Sequence, residues 1–285
     1  MTAPAKVAVR VTDPDVIVRT LTSLDDCNAC VELQRHVWGY GDGDITPASL
    51  LHVVEYVGGI AAGAFDAQGT LLGFVFGISG IHDGELAHWS HMLGVRESAR
   101  NMGVGRMLKE HQRRTMAELN VKRIFWTFDP LMAKNAYFNF NRLGARIIDY
   151  VPDMYGTTGS PLHYGLATDR LVVCIETAEN RSAPWILSQD ERHPVLTAFP
   201  RPNDVTLSLG DQRPKVVLLE IPNDVLDVMA RTPAQARTWR FSVRENFEWA
   251  LRNRYVARGV HRDAKTGRCF YIEVLDPSTD VPDAR

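Results

Sequence analysis

The spacing of apolar and polar positions divides the chain into extended and helical stretches. Apolar runs of strand length fall at residues 16–20, 60–65, 71–79, 86–95, 122–128, 145–150 and 170–176. Runs of that length bounded by turn residues predict strands. The pair at 60–65 and 71–79 flanks a turn at Asp66 to Gly69 and reads as a hairpin. Helical spacing covers 25–38, where Cys27, Cys30, Val31, Leu33 and Val37 share a face behind Asp25 and Asp26, with GYGDG as the stop. It recurs at 103–119 on Val104, Met107, Leu108, Met116 and Leu119, interrupted only by His111 and Gln112. A third helix is expected at 132–143, closed by Gly144.

Beyond residue 177 the pattern changes. Pro184, Pro194, Pro200, Pro202 and Pro214 lie among polar residues, so 178–215 reads as a Pro-rich linker or packed loop. A strand is expected at 216–221, then a long helix capped by Thr232 with Pro233 at its first position. A hairpin of 256–260 and 268–274 follows, around DAKTG. The expected organisation is a flexible N-terminal tail at 1–15, a domain at 16–177 and a C-terminal α+β extension at 216–285. Strands alternating with helices give an α/β class with a mixed sheet.

Composition narrows the function. The chain has 285 residues, 45% of them hydrophobic, and a formal net charge of −2. It can bury a real core, and it lacks the concentrated positive charge that nucleic-acid binding uses. No apolar run approaches the roughly 18 residues of a membrane span, and the first residues lack the apolar core of a secretory signal. A cytoplasmic location is expected. Cys27 and Cys30 form a C-x-x-C without a second ligand pair, so reduced core thiols are expected rather than a metal site.

The informative stretch is HMLGVRESARNMGVGRMLKEHQ at 91–112, a strand joined to a helix through Gly103 and Gly105. Arg106 and Met107 stand where a Walker loop needs Lys and Ser or Thr, and Leu108 stands at the third glycine of a dinucleotide fingerprint. What remains is R-x-x-G-x-G, Arg100-Asn101-Met102-Gly103-Val104-Gly105. Unpaired amides and a partial positive charge at a helix start suit a diphosphate, and glycines let it approach. The strand end Leu93-Gly94-Val95 can offer backbone to an amide-bearing arm such as pantetheine.

On these residues, with RIFWTF at 123–128 and NAYFNFNRLGA at 135–145, the segment 86–156 resembles the GCN5-related N-acetyltransferase (GNAT) superfamily, most of all a less-characterised bacterial branch with a C-terminal extension. The element order from Val16 to Glu176 is similar to that fold. The resemblance implies an acyl-CoA N-acyltransferase, with acetyl-CoA or another acyl-CoA as co-substrate, no metal, and a small-molecule amine as acceptor, an amino acid among the options. It implies coenzyme contacts at Leu93, Gly94, Val95, Arg100, Asn101, Met102, Gly103, Val104, Gly105, Arg106 and Phe140. A homodimer is an open option, and neither nucleic acid nor membrane is expected as a partner.

Amine acylation needs a base for the amine, donors for the oxyanion and a proton for the leaving thiolate. His91, two residues before Leu93, is the first base candidate, because imidazole titrates near neutrality; Glu85 is a weaker one. His88 and His91, three apart on a strand, point to opposite faces and do not form a metal pair. The position where the family carries an acid tyrosine is Phe140, and Tyr137 is the nearest phenol. The family's usual asparagine falls on Ala133, leaving Asn135 and Asn139 as substitutes for a pantetheine contact. On the C-terminal helix, Arg240 and Arg244 lie one turn apart and could clamp a carboxylate or the coenzyme's 3′-phosphate. The plainer expectation is a solvated charged face paired with Glu245 and Glu248. Acylation of a protein or an oxygen nucleophile, a non-catalytic acyl-CoA-binding module, and other coenzyme A chemistry such as decarboxylation remain as rivals.

Overall fold

The structure, a computed structural model, describes residues 9–10, 16–39, 45–156, 165–178, 187, 195–196 and 214–276. Most of the tail at 1–15 and of the Pro-rich stretch at 178–215 lies outside these residues. The chain forms two compact units, residues 1–126 with 159–161 and 176–180, and residues 127–158 with 162–175 and 181–285.

In the first unit six strands run in chain order across one sheet: β1 (Val9–Arg10), β2 (Ile17–Thr20), β3 (Ile60–Phe65), β4 (Leu71–His82), β5 (Glu85–Val95) and β6 (Arg123–Phe128), the last crossing into the second unit at Thr127. Every neighbouring pair is antiparallel except β5 and β6. The sheet is therefore mixed. Helix α1 (Leu24–Trp38) begins at Ser23, whose hydroxyl accepts from the Asp26 amide, and ends at Gly39 in the left-handed region. Its inner face, with Cys27, Cys30 and Leu33 fully buried, packs on Phe74, Phe76 and Met92 of the sheet. The two thiols are core groups, and burial pushes both pKa values up. Sequence spacing missed α2 (Ala48–Val53) and the 3-10 turn Val54–Val57 that continues it. Only Leu51 and Val54 of that segment are buried, so its apolar stripe is too narrow to read as amphipathic. Helix α3 (Val104–Glu118) covers the opposite face through Val104, Leu108 and Met116.

Ser79 and His88 lie opposite each other on β4 and β5, as do Gly77 and Ser90. A side chain at 77 would meet His88 Nε2 and, at 2.6 Å, the Trp89 carbonyl oxygen. Only a hydrogen fits there.

The second unit pairs β7 (Arg146–Val151) with β8 (Arg170–Glu176) antiparallel. It adds a four-stranded sheet of β11 (Tyr255–Arg262), β12 (Cys269–Leu275), β10 (Val216–Ile221) and β9 (Val195–Leu196), in that order. The helix expected at 132–143 is instead α4 (Ala133–Tyr137) followed by a π-helical turn, Phe138–Arg142. The extra residue per turn brings Asn139 and Phe140 inward together, and Asn141 exchanges two hydrogen bonds with the Val260 backbone, at 3.1 and 2.9 Å. A short helix unforeseen from the sequence, α5 (Val225–Arg231), is capped by the Asp224 carboxylate and leads into α6 (Pro233–Arg252). Thr232 occupies the cap position of α6 without a side-chain bond.

Two substitutions test the packing. Gly77→Ala is expected to cost about 2–3 kcal/mol in urea unfolding by overpacking, whereas Gly80→Ala, with open space around its site, stays within about 0.5 kcal/mol.

Candidate functional site

The parallel pairing of β5 with β6 covers only three positions, Ala87 with Arg123, His88 with Ile124 and Trp89 with Phe125. Beyond Trp89 and Phe125 the strands have no shared register, and β5 runs six further residues to Val95 with that edge free of β6. A fork of this kind leaves backbone donors and acceptors for a ligand to pair with.

A bulge shapes the same stretch. On β4, Phe76 and Gly77 are consecutive, but their partners are Met92 and Ser90, so His91 is the extra residue. A bulge of this type turns its two residues toward one face. Met92 packs in the α1-side core, and His91 stands edge-on to Phe76 with ring centroids 6.0 Å apart. His88 and Ser90 point the other way, toward α3. His91 is exposed, yet loss of surrounding water holds its pKa below the ordinary imidazole value. An exposed imidazole beside the open edge of β5 can receive a proton from a bound molecule.

Leu93, Gly94 and Val95 follow the bulge along the free edge. The chain then turns through Glu97–Ala99 and enters α3. Asn101 and Gly103 have φ of 67° and 83°. At Gly103 this left-handed geometry favours glycine. The start of α3 has no side-chain cap and no acidic residue in its first turn. Its orphan amides and dipole are thus left for an anion. Asn101, Met102, Gly103 and Arg106 are exposed and Gly105 half-buried, while Val104 anchors the turn in the core. Arg100 is exposed and 3.9 Å from Glu97.

Behind the bulge lies a polar cluster that the sequence reading passed over. Lys109 on α3 is 4% exposed. Its Nζ donates to Ser90 Oγ at 2.7 Å and to Gln112 Oε1 at 3.2 Å, and lies 4.2 Å from the centre of the Trp126 ring. Gln112 Nε2 lies 3.0 Å from His88 Nε2, and His88 Nδ1 lies 2.9 Å from Ser79 Oγ, which donates to the Gly58 carbonyl at 2.6 Å. These polarities fix the tautomer. Ser79 uses its hydrogen on Gly58, so His88 donates from Nδ1 and accepts from Gln112 at Nε2. Burial, with Lys109 second, pushes the His88 pKa down to about 3, and burial alone pushes Lys109 down to about 7. The only signal for this cluster in the sequence was the polar break at His111 and Gln112 in an otherwise apolar helix face.

Glu85 is exposed at the outer end of β5, 2.6 Å from Lys122 and 3.8 Å from Arg123, and the Lys122 contact lowers its pKa. An ionised, paired carboxylate outside the fork is a poor base. The remaining expected residues belong to the second unit. Tyr137 is 42% exposed, with the Arg142 guanidinium 5.5 Å from its ring centre. Phe140 is buried edge-on to Phe128 and Tyr271, a core role for that ring. Asn139 is buried and Asn135 exposed.

Arg240 and Arg244 correct the expectation of a solvated helix face. Arg240 is 2% exposed and forks onto Asp129 at 2.9 and 2.5 Å. Arg244 forks onto Asp169 at 2.8 and 2.5 Å, and Asp169 also accepts from Tyr150 at 2.6 Å. Neither guanidinium bonds to Glu245 or Glu248, and neither presents a free fork to a carboxylate or phosphate. On β12, Glu273 is fully buried, and burial pushes its pKa up to about 8, so it is protonated at neutral pH.

No family model matches the chain, and no curated protein matches it. Solved structures do. The chain is similar to aminoglycoside 6′-N-acetyltransferase complexed with coenzyme A, at 16% identity over 58% of this chain and 99% of that one, with a TM-score of 0.45. It is similar to a spermidine N-acetyltransferase from Vibrio cholerae, at 14% identity over 58% and 95%, TM-score 0.44. It is also similar to the ribosomal-protein-S18-alanine N-acetyltransferase from Escherichia coli, at 12% identity over 62% and 99%, TM-score 0.44.

Two measurements follow from the buried charges. His88 has a folded pKa below its unfolded value of about 6.5, so its contribution is complete above pH 6.5 and is lost as pH falls toward 3. Unfolding free energy is expected to fall by up to about 1.4 kcal/mol per pH unit in that window, and a His88→Gln variant lacks this share of the slope. Arg240→Met strands Asp129 and is expected to cost about 3–5 kcal/mol in chemical unfolding, most of it recovered by adding Asp129→Leu.

Proposed function

We propose that the chain is an acyl-CoA-dependent N-acyltransferase of GNAT type that acts by direct attack in a ternary complex. The observation that carries this reading is the fork between β5 and β6, with an uncapped helix start directly after its free strand. The amides of residues 103–106 suit the diphosphate, and the free edge of β5 suits the amides of pantetheine. The thioester carbonyl is then polarised by backbone donors at Leu93 to Val95, next to the bulge. His91, turned out of the strand by that bulge, takes the proton of the attacking amine.

The acceptor is a small-molecule amine, an amino acid being one candidate. The acyl group is acetyl or succinyl, and the protein works in the cytoplasm. The engagement of Arg240 and Arg244 by Asp129 and Asp169 weighs against assigning them to the acceptor's carboxylate or the coenzyme.

Coenzyme A and acetyl-CoA titrated calorimetrically should bind, and Gly103→Val should weaken both by about tenfold or more by strain and by blocking the amides. With acetyl-CoA and a panel of amino acids and polyamines, thiol release should depend on the amine, and His91→Ala should lower kcat by about 10²–10⁴. The wild-type rate should fall with acidification at a pH below 6.5, where His91 becomes protonated. Absence of coenzyme binding sinks the reading; binding without turnover on any amine leaves a coenzyme-binding module.

A further inference from the structure

The first residues past the fork are Ser90 on β5 and Trp126 on β6. Lys109 Nζ bonds to the one and sits over the ring of the other. A single amine thus bridges both arms where they part, and it is buried. Nothing in the packing asks for a charge here. A methionine would fill the same space, and an unpaired cation in a dry site is costly. Among the described residues, no carboxylate forms an ion pair with Lys109, and desolvation is the cause of its shift. On its own helix, Glu110 is engaged by Arg113 and Arg114, and Arg113 also donates to the Thr177 carbonyl. From β5 the facing titratable group is His88, held neutral by its burial; from β4 it is the Ser79 hydroxyl, and from β6 the Trp126 ring.

The bonding order then decides what Lys109 can give. Gln112 uses its amide nitrogen on His88, so its oxygen accepts from Lys109. Ser90 Oγ accepts a second hydrogen. An ammonium has three. The third lies on the Trp126 side, whose ring face steadies a cation. This leaves the third hydrogen outside the Ser90–Gln112–His88 network, against the ring of the first β6 residue past the pairing with β5.

Resting on the acyltransferase reading, the geometry points to Lys109 as the proton donor to the coenzyme's leaving sulfur. The amine nitrogen forms a bond to the thioester carbon, the carbon–sulfur bond breaks, and its electron pair goes to sulfur. The sulfur takes a proton from Lys109 Nζ, and the amine gives its own to His91. Products are an amide and free thiol; solvent returns a proton to Lys109 and removes one from His91. A donor poised near neutrality releases its proton more readily than an ordinary ammonium, and the neutral amine left behind suits the dry site.

The test uses free coenzyme A and needs no acceptor. Ultraviolet absorbance of the bound thiolate is followed against pH in the full-length wild type and in Lys109→Met. An ammonium beside sulfur should give about tenfold more thiolate at pH 7 in the wild type than in the variant, with coenzyme affinity held to within about threefold. Equal thiolate titration in the two overturns the assignment while leaving the acyltransferase reading intact. Failure of the wild type to bind coenzyme A removes both. If Lys109→Met does not fold, Trp126→Leu replaces it; loss of the ring face should reduce the bound thiolate, and an unchanged titration overturns the proposal.

Discussion

The parting of β5 from β6 is the constraint on which the rest of the first unit depends. Parallel strands pair slightly less well per residue than antiparallel ones, and here the pairing stops after three positions. Meanwhile β5 keeps an almost complete antiparallel ladder with β4 on its other side. One edge of the same strand is therefore saturated and the other is open. The bulge at His91 falls within that open stretch, where an extra residue on β5 costs no bond to β6. Helix α3 packs across the face behind it, which is why Lys109 and Gln112 are buried beside the apolar Val104, Met107, Leu108 and Met116.

Legibility followed the range of the interactions involved. Strands β3 to β6 and helices α1 and α3 were readable because their periodicity is local, and the glycine turn before α3 was readable because φ at Gly103 is a property of one residue. The bulge was not. It exists only in the register between Phe76–Gly77 and Ser90–Met92, and no single strand encodes it. For the same reason His91 could be named as a candidate while its orientation could not. Lys109 carried no signal of its own in the sequence, because its burial comes from the strand ends that α3 covers. The π-helical turn at Phe138–Arg142 was equally hidden, since one residue more or less per turn leaves the apolar pattern nearly unchanged.

Charge in the second unit obeys a different rule from charge in the first. Arg240 and Arg244 are each matched by a carboxylate in two-point geometry, so their burial is compensated. Tyr150, bonded to Asp169, has its pKa driven up by burial and by that carboxylate, which keeps the phenol neutral. Surface statistics for helical arginines failed here because the matching aspartates lie more than seventy residues away in sequence, on β6's far side and before β8.

The ion pairs also decide where this gene product can be cut. Asp129, Asp169, the Pro130 carbonyl and Asn141 precede the Pro-rich stretch, yet their partners Arg240, Arg244, Tyr271 and Val260 come after it. Ending the polypeptide near residue 215 would unmask two carboxylates, one of them fully buried, and strip the π-helical turn of its anchor. Residues 216–276 are therefore not an appendix that evolution or an engineer could delete; they complete a body that the middle of the chain only begins.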